Sequence, residues 1–160
     1  MLKRFFTMAM AIMLLTVIHH LYGAAIYSAP FRLHVVYFAA PVMLLLSACH
    51  VVYHRYPKSK LGTAAILLLL LIGTGIPMVL IGIIEGGYNH LVKNLVYFGG
   101  ASEETFRRLF PGPNYEIPSD FLFEFSGMLQ FIMAMYAVPV LYSSVKKLMV
   151  FPFIQANRLK

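Results

Sequence analysis

Four long apolar stretches, joined by two short links and one long one, constrain this chain more than any other feature of its sequence. Each is at or near the roughly 20 residues that cross bilayer hydrocarbon as a helix. They predict membrane helices over 5–25, 32–54, 61–85 and 121–145, with an outer connection over 86–120. Composition agrees, since 60% of the residues are hydrophobic and 12% charged, against a soluble average of roughly 45–50% and 25%. The expected fold is an all-α integral membrane protein, a four-transmembrane-helix bundle forming a single domain over 1–160.

The first stretch follows Lys3-Arg4 and ends near Gly23-Ala24-Ala25, small residues of the kind a signal peptidase reads. Its removal would leave an odd number of spans, so it is kept as the first helix. The link over 27–30 is short enough to force helices one and two into an antiparallel hairpin. Pro41 predicts a kink in helix two. Gly62, Gly73, Gly75, Gly82 and Pro77 give helix three the means for close approach and local bending. In the outer connection, 88–98 alternates polar and apolar residues at a helical period, predicting an interfacial helix. Ser102, followed by Glu103 and Glu104 and then by Arg107 and Arg108, predicts a second short helix with a serine cap, stopped by Pro111-Gly112-Pro113. Asp120 is placed to cap helix four.

Charge sets the orientation. One side of the four-span arrangement carries Lys3, Arg4, Arg55, Lys58, Lys60, Lys146, Lys147, Arg158 and Lys160 and no acid. The other carries Arg32, Lys93, Arg107 and Arg108 with all six acids. By the positive-inside rule both termini are cytoplasmic and the long connection is external, as for a protein of a bacterial inner (plasma) membrane. The net charge of +7 is thereby accounted for without a nucleic-acid partner. The single cysteine, Cys49, has no internal disulfide partner and sits in an apolar stretch as a small hydrophobe.

The polar residues that an apolar helix would not choose fall at one level. His19 and His20 end helix one, His34 begins helix two, Glu85 and His90 end helix three, and Glu124 begins helix four. Imidazole and carboxylate from four helices form the donor set of a Zn, Fe, Mn or Cu site, and carboxylates buried in a bilayer need a partner or an ion. Glu85 and Glu124 are the candidate acid, base or charge-neutralising groups, and Tyr88 and Asn89 candidate substrate contacts. Successive helical residues diverge by about 100°, so one of His19 and His20 is expected to face away. The plainer reading makes each histidine an interfacial residue, pairs Glu85 with Arg32 or Lys93, and pairs Glu124 with a histidine.

Weaker patterns are also present. His50 and His54 stand at i and i+4 on helix two, two ligands without a third. Haem would take His20 and His34 as axial ligands. Ten methionines admit soft copper ligation but are ordinary apolar fillers. The tyrosines fall mostly at predicted interfaces. There is no phosphate-cradling glycine loop, nucleophile elbow, Cys-x-x-Cys or His-Glu-x-x-His.

The reading that absorbs most of these residues is a small metal-binding membrane enzyme, redox or hydrolytic, with an outward histidine and carboxylate pocket acting on an apolar or lipid-borne substrate. A non-enzymatic subunit of a larger membrane complex, and a cation or proton transporter using Glu85 and Glu124, are the alternatives. Partners on these readings are the lipid bilayer, a second copy of the chain or other membrane subunits. The orientation is testable in a Cys49→Ala background. A cysteine at Ser102 is expected to react with an impermeant maleimide on intact cells, and one at Lys58 only after lysis; the reverse pattern would invert the topology.

Overall fold

Apolar length becomes helix at all four places. The computed structural model describes residues 2–112 and 116–157, with side chains as far as 148. Helix α1 spans Leu2–Ile26, and a single 3-10 turn, Pro30–Arg32, leads into α2 over Leu33–Arg55. The third long element begins as α3, Lys60–Gly73, passes into a π-helical stretch, Thr74–Val92, and returns to α-helix as α4, Lys93–Phe98. Helix α5 covers Glu103–Leu109 and α6 covers Phe121–Asn157. Four helical runs, Leu2–Ile26, Pro30–Arg55, Lys60–Phe98 and Phe121–Leu148, are long and apolar enough to cross a membrane. The helix-stopping Pro113 and the terminal cations Arg158 and Lys160 lie outside the described residues.

The third element departs from expectation. It does not close at Glu85 before a separate helix over 88–98, but runs unbroken for 39 residues, Lys60–Phe98. Gly86-Gly87 does not turn the chain, because neither residue has a positive φ; that conformation falls to Gly100, at φ 83°, where the run ends. The change of winding has a local cause. Pro77 lacks an N–H and its ring crowds the carbonyl four residues back, which belongs to Gly73, the last residue of α3. From Thr74 onward the helix widens to i→i+5 bonding.

That wide stretch packs along α6, while α1 touches α6, α2 and the π-helical stretch, and α2 lies against α1 and α3. Phe5, Ile12, Met13, Leu46 and Leu69 fill the centre. Leu14, Leu44, Leu71 and Ile132 are exposed, leaving an outward apolar face of the kind lipid covers. Small residues set the spacing of the principal helix pair. A Cβ on Gly82 would stand 2.1 Å from that of Ala134, and one on Gly86 would stand 2.6 Å from the backbone nitrogen of Phe131.

The shorter elements follow their sequence signals. Ser102 Oγ accepts from Thr105 N at 3.2 Å, and Asp120 Oδ1 from Phe123 N at 2.8 Å, capping α5 and α6. Phe106 and Phe110 are buried beneath α5, and the Tyr88 hydroxyl donates to Leu109 O at 2.9 Å, tying the π-helical stretch to this cover.

Gly86→Ala meets backbone on α6 and is expected to lower stability by about 1–3 kcal/mol through overpacking. Gly75→Ala, with nothing within 4 Å of the added carbon, is expected to leave stability unchanged or slightly raised. Thermal unfolding in detergent distinguishes the two; equal midpoints would contradict the close contact.

Candidate metal centre

Helical register decides which polar side chains meet. On an α-helix Glu85 and His90, five residues apart, would diverge by about 140°. The i→i+5 winding brings them into line, and His90 Nε2 comes to 3.6 Å from Glu85 Oε1. The end of α1 supplies the other side. His19 Nε2 lies 3.9 Å and His20 Nε2 3.8 Å from the same carboxylate oxygen. The two adjacent histidines therefore do not face apart. Their rings lie 75° to one another with centroids 5.1 Å apart, and rotation about the side-chain bonds recovers what the backbone angle separates.

Burial is deep. His19 is 0% exposed, His90 2% and Glu124 4%, while Glu85 keeps partial access through the cavity beside it. Close backbone approach makes room for these rings. A Cβ on Gly127 would fall 2.2 Å from His90 Cγ, and one on Gly23 would fall 2.3 Å from the Phe123 ring, which stacks on His19 at 4.2 Å.

The remaining nitrogens assign the tautomers. His20 Nδ1 donates to the carbonyl of Thr16 at 3.0 Å, and His90 Nδ1 to Glu124 Oε2 at 2.8 Å. Ser126 Oγ spends its proton on Phe123 O at 3.0 Å, so at 2.9 Å it accepts from His19 Nδ1. Each imidazole therefore turns its Nδ1–H outward, and in the neutral form each Nε2 offers a lone pair toward Glu85. None of the three reaches Glu85 at hydrogen-bond distance, and His19 Nε2 has no partner at all.

The group His19, Glu85 and His90 could hold a metal ion, its donor atoms lying within 4.8 Å of one another. His20 adds a further Nε2 toward Glu85, from the side of the cavity. Asn89 Nδ2 donates to Glu85 Oε2 at 2.8 Å, fixing the carboxylate. Glu124 stands behind His90 rather than beside Glu85. It accepts from His90, from Lys93 Nζ at 2.7 Å and from Asn94 Nδ2 at 2.6 Å. Compared with known proteins, the chain matches no family model, no curated protein and no solved structure. The chemistry therefore rests on the residues themselves.

Several sequence candidates fall elsewhere. His34 is exposed and borders the cavity with Nδ1 on Phe31 O, outside the group that converges on Glu85. Tyr88 is turned toward α5 and does not line the cavity. Glu85 pairs with neither Arg32 nor Lys93; Lys93 takes Glu124, and Arg32 takes Glu116. His50 stacks on Phe6 at 4.1 Å and meets His54 at 4.4 Å, away from this centre. Thr16 and Asn94 escape a reading that looks only for ligands, although each stands four residues from the histidine it serves. Ser126, Arg32 and Glu116 come from distant parts of the chain and carry no local signal.

Beside the centre is a cavity of about 270 Å³ that reaches His20, Glu85, Asn89, Lys93 and Arg32. Tyr27, next to the Arg32 guanidinium, is held as a neutral phenol, burial pushing its pKa up. Glu124→Ala would leave the buried Lys93 ammonium and two other donors unpaired. It is expected to cost about 3–5 kcal/mol, measured by unfolding in detergent, with Glu124→Gln intermediate; a loss below about 0.5 kcal/mol would mean that the ion pair is dispensable.

Proposed function

We propose that this chain is a membrane metalloenzyme that holds one divalent first-row transition ion between His19, His20, His90 and Glu85. It acts on the end of an apolar or lipid-borne substrate admitted through the adjacent cavity. The observation that carries the reading is the convergence of three imidazole lone pairs on one carboxylate oxygen in a buried site. Lone pairs of neutral imidazoles and a negative charge repel one another, and among the described residues no hydrogen bond reaches Glu85 Oε1, the Asn89 amide being on Oε2. A cation resolves the conflict.

The spacing supports the same reading. Ligands about 2.0–2.1 Å from a tetrahedral ion stand about 3.3 Å apart, and the observed Nε2 to Oε1 separations are 3.6, 3.8 and 3.9 Å. A few tenths of an ångström would bring each nitrogen to that spacing from Oε1, and the donor atoms of His19, Glu85 and His90 lie within 4.8 Å of one another. Every Nδ1 is engaged by a carbonyl, a hydroxyl or a carboxylate, the outer hydrogen bonds that orient ligating histidines and raise their basicity. Nitrogen and oxygen donors without sulfur suit Zn, Fe, Mn or Cu(II). Such an ion would supply Lewis acidity or electron transfer at the cavity wall. Glu85 neutralises its charge, Asn89 orients Glu85, and Glu124 holds His90 and Lys93 in place.

On this reading the centre lies toward the external face, both termini are cytoplasmic, and the surrounding lipid is the source of the substrate. The charge asymmetry of the links supports that orientation. Metal analysis of the purified full chain tests the proposal. After equilibration with Zn²⁺ or Co²⁺ and desalting, about one equivalent is expected to remain bound, with affinity reduced at least tenfold in His90→Ala and Glu85→Ala. Wild-type protein that retains less than a tenth of an equivalent would overturn the reading, and proton flux into vesicles abolished by Glu124→Gln would favour a transporter instead.

A further inference from the structure

Arg32 is not used by the metal centre, yet it is 7% exposed and faces the same cavity. It sits in the 3-10 turn between α1 and α2, where its guanidinium lies 5.0 Å from the Phe123 centroid, 5.4 Å from that of Phe31 and 5.6 Å from that of Tyr27. These rings fix the plane of the cation. One terminal nitrogen is paired with Glu116, but Nε–H is buried without any partner. A buried donor left unmade is costly, and a guanidinium presents its N–H groups as a fork suited to oxyanions. Across the same cavity Asn89 Oδ1 is also buried and unpartnered, because the amide nitrogen is committed to Glu85. Arg32 and Asn89 both line the cavity, which is thus bordered by a buried cationic donor and a buried acceptor that no protein atom meets.

We infer that this cavity binds a phosphate group, with Arg32 Nε–H donating to a phosphate oxygen and Asn89 Oδ1 accepting a P–OH proton. A carboxylate satisfies the first requirement and, being without a proton, fails the second. Charge points the same way, given the metal reading on which this step rests. Arg32 and Lys93 are matched along the cavity wall by Glu85 and Glu116, so a divalent ion on the histidines makes the pocket attract an anion. Size limits what enters. At about 270 Å³ the space is below the roughly 300–1,000 Å³ of a pocket for a drug-sized ligand, and it takes a head group while the rest of the molecule stays outside. Phe31 and Val35 at its edge supply an apolar path for a lipid chain, and Phe31 is half exposed.

Calorimetry on the full chain in detergent, with and without one equivalent of Co²⁺, tests this with inorganic phosphate, phosphatidic acid, phosphatidylcholine and oleate as probes. Phosphatidic acid is expected to bind, at least tenfold more weakly to Arg32→Gln, while Co²⁺ uptake stays at wild-type stoichiometry. Should Arg32→Gln fail to fold, Arg32→Lys, which keeps the pair with Glu116 but loses the fork, is expected to fold and to bind several-fold more weakly. Inorganic phosphate binding as tightly as phosphatidic acid would assign the site to the free ion, and phosphatidic acid alone to a lipid head group. Phosphate probes that bind nowhere, that bind the Arg32 variants as tightly as wild type, or that are matched by oleate would overturn the inference. Failure of Co²⁺ to bind would instead overturn the metal reading, and Arg32-dependent phosphate binding to the metal-free chain would still decide this one.

Discussion

The carboxylate of Glu124 is the interaction on which the upper half of the bundle depends. In an apolar interior an isolated charge is prohibitively costly, and this one is stabilised by three donors from one neighbouring element, His90, Lys93 and Asn94. Those residues occupy little more than one turn at the end of the third long helix. A single side chain at the start of α6 therefore fixes the rotation of that helix, and with it the direction in which His90 presents Nε2. The ion pair and the histidine site are one structure: the partner that makes Lys93 tolerable in the interior also orients the imidazole.

Winding does the rest. Pro77 interrupts α-helical bonding and the chain continues with wider turns through Val92. Residues five apart then stand over one another, which is the spacing of Glu85 and His90. The widened helix needs a neighbour that can come close, and Gly82, Gly86 and Gly127 permit it by omitting side chains where backbones and the His90 ring meet. Pi-helical segments cost hydrogen-bond geometry and recur at functional sites; here the distortion carries the carboxylate that receives three histidines.

The cavity joins two features that are separate in the chain. Its inner wall is the histidine and carboxylate cluster, and its outer wall is the turn between α1 and α2, with Arg32 clamped among aromatic rings. Buried polar atoms without a hydrogen bond remain at Nε2 of His19, which does not line the cavity, and at Nε of Arg32 and Oδ1 of Asn89, on residues that do. Proteins rarely leave several buried polar atoms unmet in one place without a ligand that meets them. On the readings proposed above, a metal ion would answer the first and a phosphate group the other two.

Four helices, their order, and the level at which His19, His20, Glu85, His90 and Glu124 lie were legible in the sequence, because hydrophobic length and the positions of ionisable residues along a helix are local properties. So were the caps at Ser102 and Asp120. Direction around the helix axis was not legible, since it was inferred from a regular α-helical turn. Tertiary packing overrode that assumption, widening the third helix past Pro77 and carrying it beyond Glu85 to Phe98, and swinging both adjacent histidines to one oxygen. It also sent His34 and Tyr88 outward, set Glu124 behind His90, and brought Arg32, Ser126 and Glu116 to the site. Sequence spacing determines depth along a span; rotation, and therefore which polar atoms meet, is decided only when neighbouring helices make each buried charge find its partner.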